Sequence, residues 1–232
     1  RALPGTAPPM PGREAPPWLA TGPQGQPFDF GGHVRRLCAS VVRHTAELAH
    51  VDVGRVLFAV TQARSRRRHG LQARVTPLRC QGGSLMRRRG KTLYQVQRYF
   101  VEDREVLYLM TFCLPRFLDQ DFDEKCITLF HELYHISPDF DGDLRRHGRR
   151  GAFHSHSKRD YDARMAELAR AYLASGPDPA LHDFLRLTFA QLEQRHGGVV
   201  GVMVPRPKLV PVGGAEGAEG GYMDAAASPQ ER

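Results

Sequence analysis

Apolar positions in the middle of the chain repeat with two different periods, and the switch between them divides it into helical and extended stretches. Across residues 34–50, apolar side chains fall at Val34, Leu37, Cys38, Val41, Val42, Ala46, Leu48 and Ala49, the spacing of an amphipathic helix. The period then shortens. Residues 53–62, with Val53, Val56, Phe58 and Val60, predict a strand, and residues 71–78, 92–101 and 105–113 continue the pattern. Glu102-Asp103-Arg104-Glu105 separates two β-rich runs, 92–97 and 106–109, and so predicts a hairpin. Gly82-Gly83 and Arg89-Gly90 mark turns, and Leu114-Pro115 ends the last strand.

Helical spacing returns near Asp121. Asp121 and Glu124 stand three apart, as in a capping box with Asp in place of the usual Ser or Thr. This helix is expected to reach residue 136 or 137, because Pro138 pushes its predecessor out of helical geometry. Further helices are predicted over 159–174 and 179–196, the last closed by Gly197-Gly198. A helix, several strands and then more helices describe an α+β fold with one small, mainly antiparallel sheet.

Residues 1–28 are rich in Pro, Gly and Ala, and residues 201–232 hold the low-complexity run Gly213-Gly214-Ala215-Glu216-Gly217-Ala218-Glu219. Both are expected to be disordered tails around a folded domain of residues 29–200. The folded stretch carries no run of roughly 20 apolar residues, and the first twenty residues lack the apolar core of a secretory signal. These features predict a cytoplasmic protein without membrane contact. Cys38, Cys80, Cys113 and Cys126 form no C-x-x-C pair and read as reduced thiols among apolar neighbours. The net charge of +8 comes largely from arginine runs at Arg66-Arg67-Arg68, Arg87-Arg88-Arg89 and Arg145-Arg146. Such runs attract nucleic acid or another polyanion, although they also serve as plain solvated surface.

The chemistry concentrates on the helix that starts at Asp121. Cys126, Leu129, Phe130, Leu133 and Ile136 fall on its core side. His131 and His135 lie four residues apart, one turn along the same face. At that spacing two imidazoles can reach one Zn2+ ion at about 2.0–2.1 Å each. Glu132 projects roughly 100° further round the helix. From there it can take a proton from a metal-activated water and return it to a leaving amine.

A catalytic zinc needs a third protein ligand. The position six residues after His135 is Asp141, which excludes the metzincin spacing. His154 ranks first among the remaining candidates, His147 second and His156 third, with Asp160 or Asp162 as oxygen alternatives. Asp139, Asp141 and Asp143 suit turn formation better than support of a ligand histidine. Tyr161, Tyr134 and Arg145 are candidates to stabilise an oxyanion. His33, His44, His50, His69, His182 and His196 are scattered and read as incidental.

The run His131-Glu132-Leu133-Tyr134-His135-Ile136-Ser137-Pro138, followed by Phe140-Asp141-Gly142-Asp143-Leu144-Arg145-Arg146, resembles the phage-type and bacterial zinc metallopeptidases. More distantly, the order of elements is similar to that of SprT-like proteases. The resemblance covers about residues 29–175. It implies a zincin-like fold, zinc held by His131 and His135, Glu132 as general base, and a protein or peptide substrate. The alternative is a basic nucleic-acid-associated protein with a structural or vestigial zinc site. A combined form would be a protease acting on DNA-bound proteins.

Overall fold

The computed structural model describes residues 25–64, 70–146 and 158–214. Strand β1 (Phe28–Asp29) leads directly into helix α1 (Phe30–His44), whose first turn is capped by Asp29 accepting a 3.0 Å hydrogen bond from the Gly32 amide. The helix therefore starts before Val34. It also ends before His50: Thr45 is extended, and the chain turns through a short 3-10 segment at Ala46–Leu48. Phe30, Val34, Leu37, Cys38 and Val41 of α1 are buried.

A 3-10 turn capped by Asp52 takes up Val53–Arg55, so strand β2 is shorter than expected, Val56–Gln62. Strand β3 (Ala73–Pro77) follows, then β4 (Met86–Arg89) and β5 (Thr92–Val96). The continuous strand expected over 92–101 is broken. Strand β5 stops at Val96, beyond which the Gln97 amide still donates to the Lys208 carbonyl, and β6 (Tyr99–Val101) forms a separate hairpin with β7 (Arg104–Val106). The turn lies where the sequence placed it, with Glu102 at φ 54°, but the paired strands are these short ones.

Strand β8 (Tyr108–Leu114) is buried at every position and stops before Pro115. It is the middle strand of the sheet β2-β8-β3, parallel to β2 and antiparallel to β3. That position explains an apolar run with little alternation, since both of its faces are covered. Val56, Phe58, Val75, Met110 and Phe112 belong to the main core, together with residues of α1 and of helix α2 (Phe122–Tyr134).

Helix α3 (Lys158–Ala174) packs on α2. The single helix expected over 179–196 is instead two 3-10 turns, Pro179–Leu181 and Asp183–Arg186, followed by helix α4 (Phe189–His196). Leu187 and Thr188 are extended between them, and Thr188 with Gln191 forms a capping box that starts α4 afresh. Gly197, at φ 72°, closes that helix in the left-handed conformation.

Strand β9 (Val199–Val200) pairs with β1. Residues 201–232 were expected as a tail, yet β10 (Leu209–Gly214) pairs antiparallel with β5. Composition suggested disorder there, but Leu209, Val210 and Val212 supply enough β-propensity once β5 offers an edge. The fold is α+β, with four small sheets among the described residues where one was expected, and most of their pairings are antiparallel. No described helix is long and apolar enough to cross a membrane.

Candidate metal centre

Helix α2 is fixed at both ends. At its start, the Glu124 amide donates to Asp121 Oδ1 at 2.8 Å, and the Glu124 side chain reaches back to the Asp121 amide, completing the expected capping box. At its end, where helix carbonyls lose their intrahelical partners, the returning chain supplies donors. The Arg145 amide donates to the His135 carbonyl at 2.7 Å, and Arg145 Nε donates to the Tyr134 carbonyl at 2.8 Å. The helix ends at Tyr134, with His135 as its cap residue, slightly short of the expected 136 or 137.

Gly142 allows the return. Its φ is 87°, and a Cβ there would run into the Arg79 side chain. Tyr108 braces the same turn, donating its hydroxyl to the Asp143 carbonyl at 2.9 Å and accepting from the Gly142 amide at 3.0 Å. Asp141 accepts from the Asp143 amide, while Asp143 accepts from the amides of Leu144 and Gly82 and pairs with Arg146. These two aspartates are committed to the turn, as the sequence suggested.

The core side of α2 is buried through Cys126, Leu129, Phe130 and Leu133. Lys125 is buried with them, and its Nζ donates to the Leu185 and Leu187 carbonyls at 2.8 Å each. Burial lowers its ammonium to about 8. This residue's burial was not legible in the sequence, since lysine normally marks a solvent face.

His131 and His135 come together on the remaining side. Their ring centroids are 4.5 Å apart and nearly perpendicular, at 79°. Helix α3 contributes two residues from near its N-terminal end. Tyr161 meets the His131 ring edge-on at 4.8 Å and stacks on His135 at 5.7 Å and 20°. Asp162 Oδ1 lies 3.7 Å from His131 Nδ1, an electrostatic contact too long for a good hydrogen bond. Tyr134 and Arg145 are engaged with each other instead, the guanidinium lying 4.1 Å from the ring centroid.

Glu132 is only 8% exposed. Its Oε2 accepts a 2.6 Å hydrogen bond from the Val75 amide, on the edge strand β3. Burial pushes its carboxyl up to about 7, opposed by the Val75 hydrogen bond and the positive charge of Arg74. Such a group can both take and give a proton near neutrality. A backbone amide carries no residue signature, so this partner was not legible in the sequence.

His147, His154 and His156 lie outside the described residues, as does His69. Among the described residues, no group of three His, Cys, Asp or Glu side chains could hold a metal by itself. Several of the scattered histidines serve packing: His33 stacks on Phe28 at 4.2 Å, and His182 and His196 are buried. All four cysteines are free, and burial pushes the Cys126 thiol up to about 12.

A family described as "Putative phage metallopeptidase" matches residues 32–173, and the chain belongs to that family. The match spans α1 through α3 and so includes His131, Glu132, His135, Tyr161 and Asp162. Membership implies a metal-dependent hydrolase of peptide bonds. No curated protein and no solved structure matches the chain.

Proposed function

We propose that this protein is a zinc-dependent peptidase with a zincin-like active-site helix, in which His131 and His135 are metal ligands and Glu132 is the general base. The observation that carries this reading is the perpendicular approach of the two imidazoles at 4.5 Å, with a buried carboxylate one residue from the first. Two imidazoles one helical turn apart are a donor set suited to zinc, and the third ligand falls to His154, with His147 as the alternative. Both lie in the segment between the turn at Gly142 and α3, whose N-terminal end already faces the histidines. When bound, zinc would acidify a water and polarise the scissile carbonyl.

The chain's own groups divide the remaining work. Glu132 takes the proton from the attacking water and delivers it to the departing amide nitrogen. The Val75 amide holds one carboxylate oxygen in place, which would leave the other to meet a metal-activated water. Asp162, beside Nδ1 of His131, favours ligation through Nε2 and orients the ring. Tyr161 walls both imidazoles and is the best placed of the three oxyanion candidates.

The test is hydrolysis of a casein or mixed-peptide substrate by wild type and Glu132→Gln, each with its zinc measured. We expect wild type to cleave. The variant should hold the same metal and lose at least about 100-fold in rate, as for removal of a general base. Equal cleavage by both proteins would remove Glu132 from the chemistry.

A further inference from the structure

The sheet β10-β5-β4 stands apart from the proposed centre in its chemistry. Arg87, Arg88, Arg89, Lys91, Arg206 and Lys208 are all exposed. Residues 81–101 and 194–214, which include this sheet, hold no Asp or Glu. None of the six cations forms a salt bridge among the described residues, whereas the neighbouring Arg98 and Arg79 both pair with Glu105.

The register sets their directions. Arg87 lies opposite Tyr94, Arg88 opposite Leu93 and Arg89 opposite Thr92. Side chains alternate along a strand, so Arg87 and Arg89 leave one flank of β4 and Arg88 leaves the other. Strand β4 is a sheet edge, so its cations form a ridge charged on both sides. Gly90, at φ 58°, turns the hairpin and sets Lys91 at its tip.

We propose that this ridge binds duplex DNA, with the β4 edge and the Lys91 turn lying along a groove and their cations contacting phosphates on both walls. A groove is walled by phosphates on either side, which suits a sheet edge that carries cations on both flanks. A planar anionic membrane would meet one flank only. Charge on an edge strand also deters self-pairing, but that role does not call for Arg206 and Lys208 on the far side of the sheet, nor for the absence of carboxylates. The ridge is carried on the turn behind the metal-centre helix, through the Gly82 amide on Asp143 and the Arg79 amide on the Gly142 carbonyl. Its binding does not depend on hydrolysis.

The experiment is fluorescence anisotropy of a labelled 20-base-pair duplex with the full chain, over a series of salt concentrations. The triple variant Arg87→Gln/Arg88→Gln/Arg89→Gln is compared with Arg35→Gln/Arg36→Gln/Arg43→Gln, which removes equal charge from the exposed side of α1. A milder variant, Arg206→Gln/Lys208→Gln, probes the other end of the sheet. We expect the ridge triple to weaken binding about 10-fold or more and to lower the salt slope by about 2–3. The α1 triple should change affinity less than about three-fold, and the Arg206/Lys208 pair should fall between them. Equal losses from both triples would reduce the effect to net charge and overturn the proposal. So would absence of duplex binding in 50 mM salt, or binding to phosphatidylserine vesicles in its place.

Discussion

The amide of Val75 and the carboxylate of Glu132, 57 positions apart in sequence, are joined by a buried 2.6 Å hydrogen bond that ties the edge of the central sheet to helix α2. The bond gives Glu132 a structural role that can be separated from its proposed chemical one. Glu132→Gln keeps an oxygen to accept the Val75 amide, whereas Glu132→Ala leaves that amide buried without a partner. Urea denaturation should place the alanine variant about 1–3 kcal/mol below the glutamine variant, while both lack hydrolytic activity. Equal stabilities would mean that the bond contributes nothing net to the fold.

Metal content separates the two histidines on α2 from the candidates beyond them. Mass spectrometry should find about one zinc per wild-type chain, lost in His131→Ala and in His135→Ala. Of His154→Ala, His147→Ala and His156→Ala, the first should lose the metal as fully. Asp162→Asn should retain it with affinity reduced about 10–100-fold, the usual effect of losing a carboxylate that orients a ligand imidazole. Full loss of zinc in Asp162→Asn would make that aspartate a ligand itself.

Lys125 predicts a pH dependence of stability. It is 1% exposed, and burial lowers its ammonium from 10.5 to about 8 in the folded protein. Between these values the unfolded chain binds more protons than the folded one, so this residue makes stability rise as pH increases through that window. Below about pH 7 both states carry the charge, and its contribution is flat. Lys125→Met should abolish the rise, which is worth roughly 3–3.5 kcal/mol at most. At pH 7 the variant should lose hydrogen bonds to two carbonyls, those of Leu185 and Leu187, in exchange for relief from a buried charge. Subtracting the two urea-midpoint profiles against pH isolates the term, because other titrating groups are common to both proteins. Parallel profiles would contradict it.

What the sequence disclosed and what it withheld divide along physical lines. The start of α2 was legible because a capping box is a contact between residues three apart, and its buried face was legible because packing follows helical period. His131 and His135 converge because the same period places them one turn apart. Strand β8 could be read as extended from its β-rich run, but its two neighbours could not, since pairing joins residues distant along the chain. The hairpin turn at Glu102 was local and correctly placed, yet the strands that pair around it were not those with the strongest pattern. Helix 179–196 failed for a related reason. Its apolar spacing is helical throughout, but the second capping box, at Thr188, marks a new start that interrupts it. Tyr161 was one of three equal candidates in the sequence, and only the packing of α3 on α2 brings it to the histidines.

Strand β10 has a practical consequence for anyone shortening the chain. Composition invites a cut near residue 200, where the domain was expected to end. Such a cut would remove the strand that pairs with β5 from Leu209 to Gly214, leaving β4 and β5 as a lone two-stranded ribbon. Ribbons of that kind are marginal in water. A protein ending at 200 should therefore show faster amide hydrogen exchange across residues 86–96, with α2 still protected. Experiments that used it to judge the arginine ridge would be testing a surface whose scaffold had been discarded with the tail.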